Sequence, residues 1–520
     1  MSEKEYAVIV KKGVDIEEFD AEMAASQGHG PVPNRSVDVA NPRLGSGRMT
    51  HWMITDEEAE SLRSDPRVEA VEIPPYLRDD IHIGLRASQT GNFYRGTLGA
   101  STEVNWGLKR SIAETNTYFN QPTIAGNYEY ALDGSGVDIV IQDSGLQVDH
   151  PDFNDYVGNS RVQQINWYTE SGLPGTQSAN HYRDYEGHGT HCAGIAAGLT
   201  YGWAKGARIY SQKLSGLEGP GDSGTGISVA DAFDSIRLWH IAKGGTRPTI
   251  VNMSWGYFSS STVDPTSGEY RGISWNYGDP NYSTITELWA NAGIVPPFDV
   301  DGTSVRYFTN TNAFANAEVE DMIDAGIHVC IAAGNDYYKL DVSGGLDYDN
   351  FAVFSGTQQF YHRSGSPYSS RAFYVGNIDS TVQNDSGTYR DKTASSSNKG
   401  PAVNIWAPGT NIMSTTSTVN DGYTTVNYPN NTSYKITSIS GTSMASPQVA
   451  GVCALYLQAT PDISTDDLLT KIINDSKSVI YDTGVNNDYA SYQTSIMGAP
   501  NRMLYSKYGR QPVIYKNVSL

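Results

Sequence analysis

The 520-residue sequence holds only three cysteines, Cys192, Cys330 and Cys453. An odd, low count builds no disulfide framework, and no CxxC pair offers a zinc site. Each cysteine lies among small or apolar neighbours, as in HVCIAAGN, which favours buried free thiols. Long apolar runs are missing as well; nothing approaches the ~18 residues of a membrane-spanning helix. Basic residues are scarce, 36 Lys and Arg against 57 Asp and Glu, giving a formal net charge of -21 and a pI near 4.8. That balance argues against nucleic acid and anionic membranes as partners and is more simply a solubility feature. The opening, MSEKEYAVIVKKGVD, has neither the basic head nor the long apolar core of a secretory signal. It leans toward a cytoplasmic or particle-associated protein over an extracellular one, without fixing the location.

The length suits one large α/β domain with an appendage. Residues 1–80 read as a small separate unit. EYAVIV, SVDVA, RMTHWMIT and RVEAVEIPP are strand-like. VDIEEFDAEM places Ile16, Phe19 and Met23 on one helical face, and Thr55 with Glu58 forms a capping-box signature before a second helix. The succession predicts a compact β-α-β-β-α-β, ferredoxin-like sandwich. Residues 81–104 lack periodicity and read as a linker. From 105 to 520 the pattern changes: GVDIVIQDSG, ARIYSQKLSG, TIVNMSWG and GIHVCIAAGN are apolar strands. They alternate with helical stretches at 190–198, 226–242, 314–325 and 446–458. Such alternation predicts a parallel sheet with helices on both faces, and functional groups at the carboxyl ends of its strands. Residues 257–313, rich in Tyr, Asn, Ser and Gly, read as an insertion of surface loops, and 341–370 looks similar.

Three motifs carry chemistry. IVIQDSG delivers Asp143 to a turn at a strand end. GHGTHCAG places His188 between glycines ahead of a small-residue helix. SGTSMASPQVAG places Ser443 at a helix start, with Pro447 expected in the first turn, where a missing N–H costs little. GHGTHCAG alone also admits a metal reading through His188 and His191. Taken together the three suit peptide hydrolysis: a hydroxyl nucleophile, an imidazole to take its proton and a buried carboxylate to orient the imidazole. The helix start supplies N–H groups for a developing oxyanion, and Asn335, ending CIAAGN, supplies a side-chain amide.

DSG, GHGTHCAG, AAGN and GTSMASP, in that order, resemble the subtilisin-like serine proteases, and the likeness covers nearly all of 104–508. NWGLKR, TYGWAKGARIYSQKL and GAPNRMLY resemble the proteinase K branch. The resemblance implies a serine endopeptidase acting on proteins or peptides through Asp143, His188, Ser443 and Asn335. It implies no cofactor in the chemistry, no membrane or nucleic-acid partner and a monomer. Residues 1–80 resemble the family's propeptide, an intramolecular inhibitor and folding assistant, with a self-cleavage bond in the linker. LSGLEG and SWGY match the segments that pair with extended substrate, so Ser215, Gly216, Leu217, Ser254, Trp255, Gly256 and Tyr257, with Ala333 and Gly334, are the expected substrate-binding residues. Tyr257 stands where the family often has glycine and reshapes the first specificity pocket. Asp152 matches a structural-calcium position, although the usual glycine-rich ligand loop is missing and Asn404 replaces an aspartate. His191 is expected to be structural and Cys192 to lie buried under the base. Asp149 and His150 are expected in solvent. Two rival readings remain: a restricted processing protease of an assembling particle, and a non-enzymatic binding or structural protein on a protease fold.

Overall fold

The computed structural model describes residues 2–42, 46–74, 87–97, 100–119, 121–219, 222–420, 422–484 and 494–509. The chain divides into two compact units, Met1–Leu85 and Arg86–Leu520.

The first unit runs β1 (Lys4–Val10), α1 (Ile16–Ala24), β2 (Val39–Asn41), β3 (Met49–Ile54), α2 (Asp56–Arg63) and β4 (Val68–Glu72). Its antiparallel sheet has the order β2-β3-β1-β4. Register places Tyr6 opposite Trp52 and Val8 opposite Val71. These four residues pack with Val10, Phe19, Met23, Ile54 and Leu62 into a core of the unit's own. Local signals agree with the burial. Asp15 caps α1 by accepting from the Glu17 and Glu18 amides, and the Thr55–Glu58 capping box opens α2. The element succession is the one the residue pattern predicts.

The second unit is built on a mostly parallel sheet. Strand Asp138–Asp143 lies between Arg208–Lys213 and Thr249–Met253, followed by His328–Ala332 and Phe373–Asp385, these five parallel to one another, while Phe373–Asp385 also pairs antiparallel with Thr388–Thr393. Every residue of Asp138–Asp143 and of Thr249–Met253 is buried. Burial on both faces is why these strands read as near-continuous apolar runs. Helices His188–Ala197 and Thr442–Ala459 pack together, as do Val229–Ala242 and Ala313–Asp324. The three cysteines are free and buried. Among the described residues no helix is long and apolar enough to cross a membrane.

Three expectations need correction. The stretch read as a linker is partly regular structure: Ala87–Gln89 pairs with Tyr128–Tyr130, and Asn92–Tyr94 pairs with Glu103–Asn105 and Thr123–Ile124. Phe93, fully buried, belongs to the core of the second unit. Strands of three residues are too short to leave a periodic trace. Of that stretch, 81–86 and 98–99 lie outside the described residues.

The supposed loop insertion at 257–313 is also ordered. Phe258–Ser261 pairs with Thr303–Thr309, and Ser267–Tyr270 with Ile273–Asn276, while Thr284 and Glu287 box the start of helix Ile285–Ala292. Ser267–Tyr270 also pairs with Phe351–Phe354, which pairs with Thr357–Phe360. Two stretches distant in sequence thus form one four-stranded sheet. Fully buried Asp347 pins it, bridging Arg271 Nε (2.6 Å) and Lys339 Nζ (2.5 Å).

Third, Pro447 is not in the first turn of its helix, which begins at Thr442. Proline there removes the amide that would bond the carbonyl four residues back, that of Ser443. Other groups serve that carbonyl, the Ser254 hydroxyl at 2.9 Å and Cys192 Sγ at 3.4 Å.

Candidate active site

Asp143 ends its strand and His188 opens its helix, and the two meet. His188 Nδ1 lies 2.8 Å from Asp143 Oδ1, which also accepts the Ser144 amide at 2.8 Å. Close approach requires glycine: a Cβ on Gly189 would stand 2.2 Å from the Gly145 carbonyl oxygen and 3.2 Å from Asp143 Cβ. The helix has no cap from its own N-cap residue, Gly187. Asp184 serves instead. Its carboxylate accepts from the Gly187 amide (2.8 Å), the Thr190 amide (2.9 Å) and hydroxyl (2.5 Å), and the Ser144 hydroxyl (3.0 Å). Ser144 in turn receives the Gly189 amide at 2.9 Å. Asp184 thereby ties the His188 helix to the Asp143 turn. The residue reading passed over it, although an acid three positions before a helix-opening glycine is a capping signal.

Burial by itself would lower the basicity of His188, but the Asp143 carboxylate outweighs it and holds the ring well above the ordinary histidine value. Asp143 Oδ2 is buried without a partner. His191, one turn along, is pushed down to about 3 by burial and by the neighbouring His188 charge. Its Nε2 faces the Ile412 and Thr437 carbonyls at 3.0 and 3.2 Å, so it binds strands rather than sharing a ligand with His188. Cys192 Sγ sits 3.9 Å from His188 Nδ1, with burial raising its thiol pKa. His150 is buried, not in solvent, with Nε2 3.1 Å from the Lys435 carbonyl; Asp149 is exposed and accepts from Tyr434 Oη.

Ser443 occupies the first turn of helix Thr442–Ala459. Its hydroxyl donates to the Ser254 carbonyl at 3.1 Å rather than to His188. Asn335 follows the end of strand His328–Ala332. Its Oδ1 accepts from the Thr442 amide (2.9 Å) and hydroxyl (3.1 Å), which fixes the direction of the amide group. A Cβ on Gly441 would lie 3.3 Å from Asn335 Nδ2 and 3.7 Å from the Ser443 amide nitrogen. Both donors therefore border one small space beside the hydroxyl.

A cavity of about 210 Å³ adjoins that space. Ser254, Trp255, Gly256, Tyr257, Ala333 and Gly334 line it together with Asn335 and Ser443. The Trp255 indole is fixed by Gln142 at 3.1 Å, and the Gly256 backbone N–H and C=O have no partner among the described residues. Asp336, Thr309 and Pro367 also line it, and the residue reading had missed all three. Burial raises the Asp336 carboxyl. Ser215, Gly216 and Leu217 do not border this cavity, and their amides are engaged. Ser215 donates to Ile227 O (2.8 Å), Leu217 to Leu214 O (3.2 Å) and Gly216 to the Glu218 carboxylate.

Residues 134–491 match the subtilase family, peptidase S8. The chain belongs to the subtilase family. It is a subtilisin-like serine endopeptidase. A subtilisin-like proteinase of Encephalitozoon cuniculi (strain GB-M1) is 26% identical over 462 residues, covering 86% of this chain and 80% of the relative. An extracellular serine proteinase of Thermus sp. (strain Rt41A) is 24% identical over 420 residues, covering 81% and 68%. A crystal structure of a cold adapted subtilisin-like serine proteinase aligns at 21% identity and a TM-score of 0.45, covering 77% of this chain and 97% of that one.

Calcium at Asp152 fits this subtilase poorly. The carboxylate is fully buried, and its Oδ1 accepts from the Thr200 amide (2.9 Å) and Tyr428 Oη (3.2 Å). Its Oδ2 has no hydrogen bond, but the charges acting on Asp152 are those of Arg161 and Lys205. The carbonyls nearby already serve those cations: Ala197 O and Ala207 O receive Arg161, and Leu199 O and Gly202 O receive Lys205. A dication wanting six to eight oxygens finds one carboxylate flanked by two cations. Asn404 spends its amide on Ala372 O and the Tyr374 amide, which leaves it no ligand role.

Proposed function

We propose that this subtilase hydrolyses peptide bonds through Ser443, His188 and Asp143, with Asn335 as oxyanion donor. The observation that carries the proposal is the 2.8 Å His188–Asp143 contact in the site where Asn335 Nδ2 and the Ser443 amide border one space. Ser443 turns from the Ser254 carbonyl toward His188 Nε2; such bonds are often unmade in the free enzyme. Its oxygen attacks the scissile carbonyl while His188 takes the proton, and Asp143 stabilises the imidazolium. The carbonyl oxygen, now negative, accepts from Asn335 Nδ2 and the Ser443 amide. Collapse breaks the C–N bond, and His188 returns the proton to the leaving amine. Water, deprotonated by the same imidazole, resolves the acyl-enzyme. No cofactor enters these steps.

The substrate backbone pairs with Gly256, whose groups are free, and the first side chain enters the cavity beside Asp336. The engaged amides at 215–217 favour a restricted endopeptidase over a broad degrader, since less backbone is offered for strand addition. The first unit acts as the folding assistant and inhibitor and is removed by self-cleavage. Residues 87–105 stay with the catalytic unit, because Phe93 is part of its core. Intact-mass measurement of the purified chain tests the proposal. The active form loses about 9 kDa, the first 85 residues at the mean residue mass of a 56.5 kDa chain, while Ser443→Ala stays whole. Equal masses for the two would overturn it.

A further inference from the structure

The chain between strands Ile412–Thr416 and Lys435–Ile439 returns past the front of the His188 helix. It is tied down along the way: the Thr418 amide donates to Gln147 Oε1 (2.9 Å), Asn420 Nδ2 to Ser417 O (3.1 Å) and the Tyr423 amide to Asn420 Oδ1 (3.0 Å). The Thr416 hydroxyl donates to the Gly187 carbonyl at 3.2 Å. A Cβ on Gly187 would stand 2.9 Å from Asn420 Cβ and 3.5 Å from Tyr423 Cδ2. The tyrosine ring therefore lies against the residue that precedes His188. Burial pushes its phenol up to about 12, so the group remains a neutral donor.

Tyr423 also borders a hollow of about 300 Å³, lined besides by Thr97, Asn411, Thr424, Thr437 and Ser438. This hollow shares no residue with the cavity at Ser254–Tyr257. It is close to the nucleophile along the chain: Ser438 stands on the strand that leads through Ser440 and Gly441 to Ser443, and the Asn411 amide holds Ser440 Oγ at 2.9 Å. Among the described residues no charged side chain lines it. Asn411 Nδ2 is committed to Arg95 O and Ser380 Oγ, and the Thr437 hydroxyl to Thr424 O. The Ser438 hydroxyl is different: it is buried and has no hydrogen-bond partner among the described residues. A buried hydroxyl without a partner is a cost that an incoming polar group removes.

We propose that Tyr423 and this hollow hold substrate on the leaving-group side of the scissile bond and select uncharged polar side chains there. The inference rests on Ser443 and His188 being the reacting pair. The cavity at Ser254–Tyr257 takes the acyl side of the peptide. The leaving amine departs past His188, which donates its proton, and the Tyr423 ring packs against Gly187, the residue before it. Seryl, threonyl, asparaginyl or glutaminyl side chains meet the Tyr423 phenol, and a turn of the Ser438 side chain brings its buried hydroxyl to them.

Acyl transfer isolates this side of the site. The processed enzyme is acylated by one peptide ester, and dipeptide amides beginning with Ser, Leu or Asp compete with water for the acyl-enzyme. Fluorophosphonate titration counts the folded, active sites of every variant. The wild type should prefer the seryl nucleophile. Tyr423→Ala and Ser438→Ala should each lower its partition against water by at least about fivefold, the scale of a lost interface contact. Tyr423→Phe should retain the ring's share and fall less than Tyr423→Ala. A smaller fall in both alanine variants, with titratable sites intact, would overturn the assignment. Absence of titration or acyl-enzyme in the wild type would instead sink the catalytic reading on which it depends.

Discussion

The parallel sheet and the antiparallel sheets inserted beside it divide the labour of this subtilase. Asp143 terminates a parallel strand, Asn335 follows the end of another, and His188 and Ser443 open helices packed against that sheet. The inserted strands contribute no reacting group. They supply walls: Tyr257, Phe258 and Thr309 line the cavity beside Ser443, and the sheet behind them is pinned through Asp347. The proposed reacting groups are held by strands buried on both faces and the helices packed on them, where side chains have little freedom to drift. Shape is held by pieces that can vary without disturbing the reacting atoms.

Substitutions that separate the two regions sharpen this contrast. The largest effect is expected at Asn335. Replacing it with alanine should lower kcat by about 10²–10³-fold with little change in KM, the scale known for the equivalent subtilisin donor. A modest loss of thermal stability should accompany it, because Asn335 Oδ1 accepts from the amide and hydroxyl of the fully buried Thr442. A matching loss through KM instead would mean the amide binds ground-state substrate. Asp347→Asn should do the reverse. Leaving Arg271 and Lys339 without their buried counter-charge should cost about 3 kcal/mol of stability, read in urea titration, while kcat per titrated site changes little. A large kcat loss at full stability would erase the division drawn here.

A smaller and graded effect is expected from pH, and the two regions should respond in opposite senses. The folded-state pKa of His188 is raised by Asp143, and catalysis needs the neutral ring. Activity should therefore rise with pH, with its midpoint above the ordinary histidine value of about 6.5. The same raised value means that the His188–Asp143 pair stabilises the fold fully below the unfolded pKa and loses that contribution as pH climbs through the folded one. Asp347 is lowered: burial would raise it, but hydrogen bonds from Arg271 and Lys339 and the nearby charges win. Its contribution is present above the unfolded carboxylate value of about 3.9 and is lost only in stronger acid. A rate profile flat to pH 4 would contradict the first half. Loss of the inserted sheet near neutrality, followed by hydrogen exchange at 267–276 and 351–360, would contradict the second.

The same contrast explains what was legible in the sequence. Strand Asp138–Asp143 announces itself because every one of its residues is buried and its centre, Ile139–Ile141, is an unbroken apolar run. Gly187 and Gly189 flag the tight approach of His188 to that strand. Ser267–Tyr270 carries no such trace. Its residues are Ser, Gly, Glu and Tyr, and its second partner, Phe351–Phe354, comes from a different stretch of irregular composition. Strands whose stability comes from distant pairing leave little local pattern. Asp184 and Tyr423 were passed over for a related reason: each acts on the His188 helix from outside the motif. Segment 215–217 marks the opposite limit, since its motif was visible but the use of its amides by Ile227, Leu214 and Glu218 was not.

The central claim is that Asp143, His188, Asn335 and Ser443 form one reacting site. Its most direct test is the rate and position of fluorophosphonate labelling in the processed enzyme. A single adduct on the peptide carrying Ser443 is expected, formed at least about 10³-fold more slowly in His188→Ala. Labelling elsewhere, or at an equal rate without the imidazole, would contradict the claim.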